Sequence, residues 1–192
     1  MRRLIVSLLL VLALAACAHA PPRPAIELPP LRLSPASLGQ EIALQQQLQF
    51  SFGTQARAMD ALLEVDAGEV RLVVQAMGQA GVRLFWDGRT LQQQRAAWLP
   101  PSVRAERVLD DLQFALWPAE AIRRVLPAGW TLHEAGDIRQ LMHDGRAWLS
   151  VDRADADTLR LENLAEGYRL DIATIASQAQ ASGPQPDEGK RP

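Results

Sequence analysis

The chain has 192 residues, 48% of them hydrophobic, a formal net charge of −2 and a single cysteine. That length and apolar content support one domain with a real core. The charge balance argues against a nucleic-acid binder, which carries a basic patch, and one cysteine excludes a disulfide within the chain.

Met1-Arg2-Arg3 is a short basic start, and Leu4 to Leu14 is apolar apart from Ser7. A basic start, a short apolar run and small residues before a break predict a secretory signal peptide over residues 1–16. The apolar run is far shorter than the roughly twenty residues that span a bilayer. Leu14-Ala15-Ala16-Cys17 also resembles a bacterial lipobox. In proteins with that motif the cysteine thiol receives a diacylglycerol and becomes the lipidated first residue. Cys17 is therefore the expected lipidation site. Alanine, not aspartate, follows it, which resembles the signal for outer-membrane sorting. Pro21, Pro22, Pro24, Pro29, Pro30 and Pro35 predict an extended stalk over residues 17–36.

Residues 37–176 read as one folded body. In Leu44 to Phe52, Leu44, Leu48, Phe50 and Phe52 share one face, while Gln45, Gln47, Gln49 and Ser51 take the other. Such alternation predicts a half-buried antiparallel strand. Met59 to Val65, Val70 to Ala76, Val82 to Trp86, Ala147 to Val151, Leu159 to Leu161 and Tyr168 to Ile172 repeat it. Asp66-Ala67-Gly68, Asp87-Gly88 and Asp144-Gly145 are hairpin signals between alternating runs.

Residues 103–130 break the pattern. Val108, Leu109, Leu112 and Leu116 fall at helical spacing, which leaves Arg104, Asp110 and Asp111 for solvent. Pro118 disfavours helix at Trp117 and suits the first position of a second helix, which Pro127 and Gly129 end. Residues 177–192 are polar and read as a disordered tail. The expected fold is mainly β with α: a curved antiparallel half-barrel with a helical hairpin covering one face.

Catalytic and metal patterns are missing. The three histidines are His19, in the stalk, and His133 and His143, in or near strands. Asp110 and Asp111 are neighbours expected to point different ways. No zinc spacing, phosphate loop or nucleophile elbow is present, so no cofactor or metal is expected. The apolar side chains are more informative. Phe50, Phe52, Leu63, Val74, Leu84, Trp86 and Leu170 from strands, with Leu116 and Trp117 from the helices, either fill a core or line a ligand cavity.

Leu33-Ser34-Pro35, Leu44 to Phe52, the segment Asp111 to Trp130, Leu161 to Leu164 and Gly167 to Leu170 together resemble a family of small bacterial outer-membrane lipoproteins. That family carries a domain of unknown function and is often encoded in aryl-polyene pigment gene clusters. More distantly, the layout is similar to LolB, the outer-membrane lipoprotein receptor, and to its periplasmic partner LolA. These are half-barrels whose helices cover a cavity for acyl chains. LolB exposes a leucine in a Leu-Gly loop; the comparable place here is Met77-Gly78, with methionine, another flexible apolar residue. The resemblance implies a non-enzymatic lipoprotein, lipid-anchored to the outer membrane and facing the periplasm. It would bind or transfer a lipid-like or acyl cargo and meet a LolA-like carrier. The rival readings are a structural lipoprotein with a solid core and a hydrolase using His133 or His143.

Overall fold

The computed structural model describes residues 26–99 and 104–180. The expected signal segment and Cys17 lie outside them. Ten strands form one antiparallel sheet. They are β1 (Glu41–Phe52), β2 (Gln55–Val65), β3 (Val70–Ala76), β4 (Gln79–Trp86) and β5 (Leu91–Arg95), then β6 (Trp130–Ala135), β7 (Ile138–His143), β8 (Arg146–Asp152), β9 (Thr158–Asn163) and β10 (Tyr168–Gln180). Between β5 and β6 lie helices α1 (Ala105–Leu116) and α2 (Ala119–Val125).

The sheet order is β5-β4-β3-β2-β1-β10-β9-β8-β7-β6. Each half of the chain is a five-strand meander. Pairing of β1 with β10, from Glu41 opposite Gln180 to Phe52 opposite Tyr168, joins the halves. Among the described residues β5 and β6 are unpaired edges, so the curved sheet is a half-barrel rather than a closed barrel. Three register shifts help it curl: Ile175, Gly81 and Trp148 are each the extra residue opposite β1, β3 and β7 respectively. An extra residue bends its strand and raises the local twist. Gly81 has a further role. A Cβ there would meet Trp98 at 3.1 Å and Leu99 at 3.3 Å, so glycine lets the chain after β5 fold back over β4.

The turns follow the aspartates. Asp66 accepts hydrogen bonds from the Gly68 and Glu69 amides, and Asp87 from those of Arg89 and Thr90. These side chains mimic backbone turns. Pro118 separates the helices as expected. The C-terminal carbonyls of α1 are satisfied by arginine: buried Arg139 donates from Nη1 to the Phe114 and Trp117 oxygens at 2.8 and 2.7 Å, and Arg153 donates to that of Ala115. Cations here also oppose the negative end of the helix dipole.

Two boundaries differ from expectation. Residues 26–36 differ from the expected stalk: Leu28, Leu31 and Leu33 are core residues, continuous with Leu38 of the folded body. This segment has no strand partner, so side chains serve its backbone. Gln113 accepts from the Leu33 amide at 2.9 Å and donates to the Leu33 carbonyl at 2.8 Å. Asp110 accepts from the Leu31 amide, Arg107 donates to the Leu28 oxygen, and Trp86 Nε1 donates to the Leu33 oxygen. Trp117 Nε1 reaches the Ser34 oxygen. Pro35–Leu38 then form a 3-10 turn. The prolines made an extended chain legible, but not that its leucines are buried. At the other end, residues 177–180, expected in the tail, extend β10 against Glu41 to Leu44.

Candidate functional site

α1 has two working faces. Gln113, Asp110 and Leu109 are buried, with the first two bonded to the N-terminal segment. Arg104, Val108, Leu112, Ala115 and Leu116 lie one helical stripe away and face a cavity. The cavity, of about 170 Å³, lies between this stripe and the curled sheet. An apolar cavity of ~150 Å³ is enough to stay dry and hold benzene.

Sheet residues supply the opposite wall. Leu48 and Phe50 of β1, Met59 of β2, Val74 of β3 and Leu170 and Ile172 of β10 all line it. Leu48 and Phe50 face inward yet are only half-buried, because no side chain of the described residues fills the space before them. Phe52 (42% exposed), Gln55 and Arg57 line one end and are exposed, so the mouth lies at the β1–β2 hairpin.

The candidate pocket residues therefore divide. Phe50, Phe52, Val74, Leu116 and Leu170 line the cavity. Leu63, Leu84, Trp86 and Trp117 do not, and are sealed in the solid part of the core. The bonds of Trp86 and Trp117 to Leu33 and Ser34 show the reason: the segment read as a stalk fills that part of the half-barrel. Met77 is 93% exposed at the tip of the β3–β4 hairpin, with φ +51 beside Gly78 at φ +72. Two consecutive positive φ values give the turn that suits a two-residue hairpin. His133 is exposed on β6, and His143 stacks on Trp130 and contacts the Gly129 oxygen. Neither lines the cavity.

One corner of the cavity is polar, and sequence reading missed it. Asp111, left for solvent by the helical spacing, is only 4% exposed and lines the cavity beside Leu112. α1 is covered on two sides, by the sheet and by residues 26–38, so both Asp110 and Asp111 are buried. The Tyr168 hydroxyl donates to Asp111 Oδ2, and Asn163 Nδ2 donates to the Tyr168 oxygen at 3.1 Å. Burial pushes the Asp111 carboxyl up to about 7, against the opposing pull of the Tyr168 bond. The same burial, with Asp111 beside it, holds the Tyr168 hydroxyl well above its ordinary value. Arg107 and Glu166 complete the corner, with Arg107 Nε 3.4 Å from Glu166 Oε1 and Arg104 Nη2 2.7 Å from the same oxygen.

Residues 43–176 match the model of a family described as a protein of unknown function, DUF3261. The chain belongs to that family. It matches no curated protein at a significant level. The DUF3261 match runs from β1 through β10 and includes every cavity residue named above. Leu28, Leu31 and Leu33, which close the filled part of the core, precede the matched region. No helix among the described residues of this DUF3261 protein is long and apolar enough to cross a membrane.

Proposed function

We propose that this DUF3261 protein is a lipid-anchored envelope carrier or receptor that shelters an acyl-type chain in the half-barrel. The observation that supports the reading is the cavity itself. Leu48, Phe50, Leu112 and Leu116 face one another across space that no side chain of the described residues fills. Inserting an apolar chain would remove that surface from water, at roughly 25 cal/mol per Å². In this reading Cys17 carries the lipid that holds the protein at the outer membrane, facing the periplasm. Cargo enters at the mouth by Phe52. Exposed Met77 touches the membrane surface during transfer, in the manner of the LolB loop it resembles. The cargo is a lipid, an aryl-polyene lipid or a lipoprotein acyl chain, received from a LolA-like periplasmic carrier. The protein works by binding, without a chemical step.

The test uses residues 18–192, exported behind an ordinary signal peptide so that no lipid is attached, and purified without detergent. Solvent extraction followed by mass spectrometry is expected to release one acyl or polyene species per protein. An empty protein that also takes up no fluorescent fatty acid would overturn the proposal in favour of a structural lipoprotein.

A further inference from the structure

Among the described residues, two buried polar atoms in the cavity corner have no hydrogen-bond partner. Asp111 Oδ1 makes no hydrogen bond, although Oδ2 is bonded to Tyr168. Arg107 Nε also makes none; its contact with Glu166 is an ion pair without hydrogen-bond geometry. Arg107 and Asp111 are four residues apart on α1, and so lie on one face of the helix. They are 7% and 4% exposed, and both line the cavity. A buried polar group without a hydrogen-bond partner has lost its water and gained nothing in exchange. Two of them, on residues one helical turn apart that both line the cavity, leave a donor and an acceptor unmatched at its polar corner.

We infer that this corner reads the polar head of the cargo, which is a single-chain amphiphile whose head both donates and accepts a hydrogen bond, such as a hydroxyl or a carboxylic acid. The inference rests on the acyl-cavity reading above and adds the head to the chain. Arg107 Nε–H donates to the head's oxygen. Asp111 Oδ1 accepts the head's hydrogen, or, when Asp111 is itself protonated, donates to a carboxylate. The groups facing Asp111 are Arg107 and Asp110 from α1, Tyr168 from β10 and Glu166 from the β9–β10 turn. Arg107 favours an anionic head, whereas Glu166 and Asp110 oppose it. With its carboxyl pushed up to about 7, Asp111 adds a further repulsion only above neutral pH. The Tyr168 and Asn163 bonds fix the carboxyl from behind, so the free oxygen has one orientation to offer.

Displacement of bound N-phenyl-1-naphthylamine from residues 18–192 tests this. The competitors share one chain length: 1-decanol, decanoic acid, decyl methyl ether, which only accepts, and 1-chlorodecane, which does neither. The expected result is that 1-decanol and decanoic acid displace the probe at a concentration at least tenfold below that of 1-chlorodecane. The ether falls between. Decanoic acid should also bind better at pH 6 than at pH 8, with little pH effect on 1-decanol. In Asp111→Leu the advantage of 1-decanol disappears while 1-chlorodecane is unchanged. In Asp111→Asn, which keeps the shape, the pH effect on decanoic acid flattens. Equal displacement by all four in the unaltered protein would overturn the inference, leaving a corner that holds only water, while the acyl-cavity reading stands. Failure of the probe itself to bind would overturn both.

Discussion

Tyr168 donates its hydroxyl hydrogen to Asp111 Oδ2, joining the last strand in the chain, central in the sheet, to the helix that covers it across 57 residues of sequence. The bond closes the back of the cavity. It also holds a buried carboxyl in place, which makes the protein's stability depend on pH in an unusual direction.

The Asp111 carboxyl is pushed up to about 7, while in the unfolded chain it returns to the ordinary carboxylate range. Between those values the folded protein holds a proton that the unfolded chain has released. Asp111 therefore lowers stability as pH rises through the window, and the loss is complete above about pH 7. Asp111→Asn keeps an oxygen for Tyr168 and removes the titration. In urea unfolding, the gain of the variant over the unaltered protein should grow from pH 4 to pH 8, by on the order of a few kcal/mol. An equal difference at both pH values would show that Asp111 is not buried.

The N-terminal segment gives a second test. Gln113→Ala removes both partners that its side chain offers to Leu33, although Trp86 still serves the Leu33 oxygen. A buried amide is left unpaired, and the expected cost is about 2 kcal/mol. Truncation through Leu33 removes Leu28, Leu31 and Leu33 from the core and should cost several times as much, at ~1.5–3 kcal/mol for each side chain. A stalk would be removed with no change in the unfolding midpoint.

Phe50 and Leu84 should respond differently to a charge. Phe50 is half-buried against open space, and Leu84 is 4% exposed in the filled core. Phe50→Glu is expected to fold, with uptake of a fluorescent fatty acid reduced at least tenfold. Leu84→Glu buries an unpaired charge and should abolish folding. Circular dichroism beside the uptake assay separates the two outcomes.

Met77 sits at φ +51 with 93% of its surface exposed, so it contributes little to the fold. Asparagine tolerates that backbone better. Met77→Asn should hold or raise the melting temperature and weaken adsorption of residues 18–192 to anionic lipid vesicles. Unchanged adsorption in a flotation assay would remove Met77 from the transfer role.

The sequence alone determined the local elements. Side chains alternate across a strand and recur every three to four residues on a helix, so Leu44 to Phe52 and Val108 to Leu116 carry their own periodicity. Pro118 and the turn aspartates act through their own backbone neighbours, and those boundaries too are local. What a face packs against is not local. Only the tertiary structure decided that residues 26–38 fill one part of the half-barrel and leave the rest empty. The same apolar pattern thereby became solid core at Leu63, Leu84, Trp86 and Trp117, and cavity wall at Phe50, Val74 and Leu170. Asp111 shows the same limit: covering α1 on two sides turned a helix position expected at solvent into a buried carboxyl, because burial depends on every element that surrounds a residue.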